Sequence, residues 1–337
     1  LKILFLPNQY SQQRQREKKR WIYPVHLAME AEHYRQVGHD VTWATTDMPV
    51  GHFYNGVCYD KIIRKPGSIS FLRLPAPDRI FTDAFDKRYQ QNGNFKYYPG
   101  TYMQVANGCW HGQCTFCVEQ KNEWEVRPVA DIIEELARCE YLGFKEVFDD
   151  SGTFPTSKWL DDFLSEFFKE RNKRLWDLRL GCNMRMVDVD YFRMAQAGFR
   201  MVLFGLESAN QTTLDKINKG VRVDDYKYII KAAKAGLEPH VAVMFGYPWE
   251  RDCDAENTLK LVHWLLKKGY AKTAQASVYR PNNQSSSVQN EASACRFVRQ
   301  LYSVAWSPTF WLQKLRDIND IDDLKYLWRQ IKAGVQG

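Results

Sequence analysis

The sequence predicts an α/β fold whose core is a partial (β/α)6 barrel, and three observations carry that prediction. From residue 101 onward, apolar runs of strand length alternate with segments of helical period. Several of the helical segments close on a glycine: Gly143, Gly198, Gly236 and Gly269. The residues least suited to a core collect just after the strands.

Each element follows from its residues. "TYMQVAN" (101–107) reads as the first strand. "PVADIIEELARCEYLG" is a helix with Val129, Ile132, Ile133 and Leu136 on one face. "KEVFDD" is the second strand. "SKWLDDFLSEFFKERN" is a helix on which Leu160, Phe163, Leu164, Phe167 and Phe168 form one stripe. "LRLGCNM", "RMVLFGLES", "PHVAVMFG" and "AQASVYRP" are the remaining strands. "VDYFRMAQAG", "DDYKYIIKAAKAG" and "AENTLKLVHWLLKKG" are the helices between them. Parallel strands joined by helices cross over in the right-handed sense, so the sheet curls toward a TIM-like partial barrel. Ligands then gather at the carboxyl ends of the strands. There lie the cysteine-rich loop, "DDSG", "NMR", "ES" and "GYP".

The flanks read differently. Residues 1–75 open as strand ("LKILFLP"), helix ("YPVHLAMEAEHYRQVG") and strand ("HDVTWAT"), with "YDKIIRKP" as a further strand. This is a short Rossmann-like segment with too few strands for a complete doubly wound domain. Residues 76–100 look like a linker, and 101–281 form the barrel. Residues 282–337 begin as a polar loop and continue as an aromatic-rich helical appendage, expected to pack on the barrel through Trp306, Phe310, Trp311, Leu315, Leu324, Leu327 and Trp328.

Composition bounds the function. The 337 residues carry 47 basic and 40 acidic side chains, a net charge of +7. That excess permits a nucleic-acid or phosphate partner without requiring one. The basic runs "QRQREKKR" (13–20) and "KERNKR" (169–174) read either as such contacts or as solvated faces. No apolar run is long enough to span a membrane, and no basic-then-apolar leader opens the sequence. A cytoplasmic location is expected, with the scattered cysteines 58, 139, 182, 253 and 295 reduced.

The loop "NGCWHGQCTFC" concentrates Cys109, Cys114 and Cys117 within nine residues. A closed zinc site wants four ligands, which His111 could complete, but its bite with Cys109 is short. An iron–sulfur cluster held by three cysteines instead leaves one iron open for a substrate or cofactor.

These residues carry a resemblance. "LPAPDR", "GCWHGQCTFC", "FDDSGTF", "RMVLFGLESANQTTLDKINKG", "AGLEPHVAVMFGYPWE" and "LRDINDIDDLKYL" resemble the radical S-adenosylmethionine (SAM) superfamily, in particular its branch with an N-terminal cobalamin-binding domain. The usual spacing there is C-x3-C-x2-C. Here it is C-x4-C-x2-C. The D-x-H-x-x-G cobalamin-ligating signature is absent, and the front segment is short.

The resemblance implies a [4Fe-4S] cluster on Cys109, Cys114 and Cys117, with SAM on the open iron. It places Phe116 near the adenine, or in simple packing. Asp149, Asp150 and Ser151 stand where the amino group binds, or cap the next helix. Arg185 would meet the SAM carboxylate or ribose, or a surface partner. Glu207 and Ser208 fall near the SAM sugar and sulfonium. A glutamate ending an apolar strand is costly unless paired. Gly205 and Gly246 would admit the ligand to the backbone, or make tight turns. His111 would line the pocket or stand in an exposed loop, and Tyr247 and Trp249 would face the substrate.

The implied chemistry is reductive SAM cleavage to a 5′-deoxyadenosyl radical that functionalises or rearranges an unactivated C–H position. An electron donor such as flavodoxin or ferredoxin is implied as partner. The substrate is a small molecule or a nucleotide or nucleic acid. Methyl transfer through cobalamin is the alternative reaction. A non-catalytic zinc or iron–sulfur nucleic-acid-binding protein is the alternative class.

Overall fold

The computed structural model describes residues 1–6, 23–44, 53–54, 57–64, 67, 69–90, 94–117, 122–174, 177–280 and 291–335. Its main strands are β1 (Lys2–Phe5), β2 (Asp40–Trp43), β3 (Lys61–Ile63), β4 (Gly100–Met103), β5 (Glu146–Asp149), β6 (Arg179–Met184), β7 (Phe199–Glu207), β8 (Glu238–Phe245) and β9 (Thr273–Val278). The main helices are α1 (Val25–Gln36), α2 (Val129–Tyr141), α3 (Ser157–Arg174), α4 (Tyr191–Gln196), α5 (Gln211–Lys216), α6 (Tyr226–Lys234), α7 (Asp252–Lys267), α8 (Glu291–Tyr302), α9 (Pro308–Arg316) and α10 (Ile321–Val335). A three-stranded sheet has the order β2-β1-β3, and a six-stranded sheet runs in chain order from β4 to β9. Six successive strands with helices between them make the predicted partial (β/α)6 barrel. The chain divides into two compact units, residues 1–105 with 125–150, and residues 106–124 with 151–337. This division differs from the boundaries read from the sequence.

In the first unit, β1 pairs parallel with both β2 and β3. Successive strand side chains point to opposite faces, so β1 builds two small cores. Ile3 and Phe5 pack with Leu27, Ala31 and Ile63, while Leu4 and Leu6 pack with Ala44 and Tyr59.

Residues 76–100, which read as a linker, supply buried side chains instead: Arg79, Thr82, Ala84, Tyr89 and Phe95. The reason lies on α2, whose buried stripe is Ile132, Glu135, Leu136 and Cys139 rather than the purely apolar face expected. Glu135 is fully buried and ion-paired to Arg79 and, at 2.6 Å, to Arg127. Arg79 also donates to the carbonyl of Tyr102 at 2.9 Å, and Arg127 to that of Gln104 at 3.1 Å. Burial alone would push the Glu135 carboxyl up, but the two guanidinium groups hold it below the ordinary carboxylate range. Strands β4 and β5 pair parallel beside this triad's carbonyl partners.

In the second unit, β6 to β9 pair parallel in sequence order. On α3 the predicted stripe is buried at Leu160, Phe163, Leu164 and Phe167. The basic run 169–174 forms the last turns of that helix, where Lys169 pairs with Glu166 and Lys173 with Glu170, as on a solvated face. The basic run 13–20 and the polar stretch 281–290 lie outside the described residues.

Helix α5 has no counterpart in the sequence reading. It is six residues long, too short to show a period, and is capped by Asn210, whose side chain accepts from the Thr213 N–H.

In the appendage, α8 buries Ala294, Phe297 and Leu301, and Phe297 stacks on Phe245. The tail beyond it departs from the expected packing. Trp306, in the turn before α9, is 88% exposed, and on α10 the i, i+3, i+7 stripe Ile321, Leu324 and Trp328 is also exposed. Among the described residues, no helix is long and apolar enough to cross a membrane.

Candidate active site

The second unit brings most of the predicted site residues onto three of its segments: the cysteine loop, the end of β7, and the turn that follows α5. The cysteine loop is pinned at several points. The Thr115 N–H donates to the Ile217 carbonyl at 3.0 Å, and the Cys117 N–H to the Cys114 carbonyl at 3.0 Å. His111 Nε2–H donates to the Asn218 carbonyl at 2.8 Å, and its ring lies against Gly220, where an added Cβ would come within 2.5 Å of Cε1. Burial lowers the His111 pKa, and nearby Arg185 and Lys219 add to the effect, so the ring is neutral near pH 7. Gly112 lies within the C-x4-C stretch. Its φ of +57° folds the chain back toward the Cys109 carbonyl, a conformation that L side chains rarely adopt.

The turn after α5 delivers Lys219 to Glu207. Lys219 Nζ donates to Glu207 Oε1 at 2.8 Å, with both side chains largely buried. This pair answers the cost of ending an apolar strand on a carboxylate. Gly205 makes the pair possible. A Cβ at residue 205 would collide with Glu207 Oε1 and come within 2.7 Å of Lys219 Nζ. Glu207 itself sits at φ +61°, a strained value for a residue with a side chain. Arg185 donates to the backbone carbonyl of Lys219. Each is covered by an aromatic ring of the cysteine loop. Arg185 lies 5.0 Å from the Trp110 centroid and Lys219 lies 5.7 Å from that of Phe116.

Cys114 faces these cations. Burial pushes its thiol pKa up, while Lys219 and Arg185 pull it down and neighbouring Cys109 raises it. Burial wins, so the thiol pKa stays above its ordinary value; the two cations offset part of the rise and favour the thiolate, the form that ligates metal. Arg185 is buried and hydrogen-bonds to Cys114 as well as to the Lys219 carbonyl, while its Nε–H has no partner among the described residues. Among the described residues, no three His, Cys, Asp or Glu side chains are already gathered into a metal-holding group. In number and type the three thiols still fit an iron–sulfur cluster, and the unmatched guanidinium donor fits an anionic ligand beside it.

The other predicted residues lie on separate segments. In the first unit, Asp149 is fully buried and accepts from the Val105 N–H at 2.8 Å, while Asp150 is exposed. In the second unit, Ser151 Oγ accepts from the Ala106 N–H at 2.8 Å, and its carbonyl accepts from Asn183 Nδ2 at 3.1 Å. Ser208 Oγ accepts from the Asn210 N–H at 3.1 Å and lies 3.4 Å from Thr258 Oγ1. Gly246 leaves room for Ala294, which an added Cβ would approach to 2.6 Å. Tyr247 is fully buried between Tyr279 and Trp249.

Lys219 and Trp110 escaped the sequence reading. The signal for Lys219 was the unpaired-carboxylate cost at Glu207, which demands a cation without saying where in the chain it lies.

Residues 103–262 match the profile of the Radical SAM superfamily. An uncharacterized methyltransferase of Pyrococcus horikoshii is 26% identical over 231 residues, covering 63% of this chain and 45% of that protein. This chain therefore spans under half the length of that relative. Among solved structures, the radical SAM methyltransferase TsrM from Kitasatospora setae, with tryptophan substrate and a SAM analogue bound, superposes with a TM-score of 0.50 at 19% identity. That match covers 64% of this chain and 39% of TsrM. The cobalamin-dependent SAM radical enzyme OxsB with aqua-cobalamin gives a TM-score of 0.48 at 11% identity, over 91% of this chain and 43% of OxsB. The fold, the cysteine loop and the matched profile agree with the resemblance read from the sequence: residues 103–262 of this chain match the Radical SAM superfamily.

Proposed function

We propose that this chain cleaves SAM reductively at a [4Fe-4S] cluster held by Cys109, Cys114 and Cys117, and directs the resulting radical chemistry to a C–H position of its substrate. The observation that carries the reading is the pinning of the cysteine loop against Arg185, Lys219 and Glu207. When bound, the cluster supplies the single electron for cleavage, drawn from a donor of the flavodoxin or ferredoxin class. The chain's own residues bind and orient. Arg185 offers its free Nε–H to the SAM carboxylate or ribose. Glu207, held in place by Lys219, would lie near the sugar and sulfonium, where a carboxylate favours positive charge. Phe116 and Trp110 cover the cations and limit their access to water. By the resemblance, Asp149, Asp150 and Ser151 would be the partners of the SAM amino group, and Ser208 and Gly246 would shape the backbone near the ligand.

Residues 101–281 are the catalytic core in this reading, and 282–337 an appendage. Residues 1–75 resemble a reduced cobalamin-binding domain. Methyl transfer through cobalamin is the second reading, favoured by the methyltransferase names of the P. horikoshii relative and TsrM. The substrate, small molecule or nucleotide, is what separates the two.

The test is anaerobic reconstitution with iron and sulfide, followed by electron paramagnetic resonance of the dithionite-reduced protein. The expected result is a reduced-cluster signal that shifts when SAM is added and is lost in Cys114→Ala. Stoichiometric zinc with no cluster signal would contradict the proposal.

A further inference from the structure

The last helix carries an apolar stripe that the barrel leaves in water. On α10, Ile321 is 60% exposed, Leu324 50% and Trp328 61%. Residues spaced three and then four apart fall in one narrow line along a helix. That spacing is the seam along which two helices pack, each side chain entering a hole on its partner. In the sequence the same alternation continues at Ile331 and Val335.

The opposite side of α10 is already engaged. The Tyr326 ring centroid lies 5.5 Å from the Arg200 guanidinium, and Arg200 is paired with Glu238 at 2.6 Å. The helix is thus held on residues at the beginning of β7 and β8, with the stripe turned away from them. Large apolar side chains aligned in water mark a surface that another body covers.

The charges select that body. The first turn of α10 is acidic, with Asp322 and Asp323, and Lys325 and Arg329 follow. A second α10 lying parallel would set acid against acid and base against base. Lying antiparallel, with a two-fold axis between Leu324 and Trp328, it sets Leu324 against Trp328 and Asp323 against Arg329, each twice. The two helix dipoles are also opposed in that arrangement.

We infer that α10 is a self-association surface, and that its occupant is the α10 of a second copy of this chain, packed antiparallel about a two-fold axis. The inference is independent of the reaction proposed above.

The test is sedimentation equilibrium of the full chain under reducing conditions, over a range of micromolar concentrations, with melting temperatures measured where the wild type is a single copy. The wild-type chain is expected to pass from the mass of one copy to the mass of two as its concentration rises. Leu324→Glu is expected to keep the melting temperature and to weaken association at least about tenfold. Arg329→Glu is expected to weaken it by about threefold. Phe192→Glu, at a 61% exposed apolar residue on α4, is expected to change neither. If Leu324→Glu melts early, Trp328→Lys on the same stripe is read in its place, with the same expectation. A one-copy mass at every concentration overturns the inference and leaves the stripe to another partner. Assemblies larger than two copies overturn it as well, and so does association that survives the stripe variants.

Discussion

Both units bury an ionic cluster, and the two are finished to different degrees. In the first, Glu135 accepts from Arg79 and Arg127, and the guanidinium groups go on to backbone carbonyls. In the second, Glu207 and Lys219 pair, but among the described residues the Arg185 Nε–H and the Tyr247 hydroxyl find no partner, and Glu207 sits in a strained backbone conformation. A satisfied buried cluster fixes a fold. One with spare donors and stored strain is shaped for something that binds. The contrast separates architecture from chemistry among residues that look alike in composition.

The largest expected effect falls on the first unit. Glu135→Ala leaves two guanidinium groups buried without their counter-charge and should cost about 3–5 kcal/mol in denaturant unfolding. The wild-type contribution is present above the ordinary carboxylate range and is lost as pH falls through the depressed Glu135 value. A Glu135→Ala variant of normal stability would break the comparison.

Gly205→Ala should come next. The added methyl forces Glu207 and Lys219 apart and should cost about 1–3 kcal/mol. It should also weaken SAM binding, which a purely structural Glu207 would not produce.

Glu250 gives a smaller, pH-dependent effect. Burial raises its pKa to about 7. The folded state therefore holds the proton more tightly than the unfolded state, and stability is lost as pH rises from about 4.5 to about 7. Glu250→Gln should remove that loss, gaining about 2 kcal/mol more at pH 8 than at pH 5 after allowance for partial exposure. Equal effects at both pH values would contradict the buried carboxyl.

The smallest change is expected at an exposed pair. Asp162→Ala breaks the helix-surface bridge from Lys158 and should shift stability by under about 0.5 kcal/mol.

The barrel was legible because its signals are local. The alternation of strands and helices, the Phe163 and Phe167 stripe and the cysteine spacing can each be read within a short window. Glu207 was legible in part, since a carboxylate ending an apolar strand calls for a partner. Lys219 was not, because the partner lies twelve residues on, past a helix too short to show a period. Arg79 was hidden for a similar reason. Its buried position depends on Glu135, 56 residues away, and its local stretch has the composition of a linker. The exposed stripe of Ile321, Leu324 and Trp328 marks the opposite limit, since periodicity identifies an apolar face without showing what covers it.

The central claim, that the cysteine loop and its cations are built to cleave SAM, is tested most directly by measuring 5′-deoxyadenosine by mass spectrometry. The anaerobically reconstituted protein would be given dithionite and SAM, with Cys114→Ala as control and cobalamin present or absent. The expected result is 5′-deoxyadenosine formed by the wild-type protein and abolished in Cys114→Ala. A fully assembled cluster that binds SAM yet yields no 5′-deoxyadenosine above the Cys114→Ala background would contradict the account.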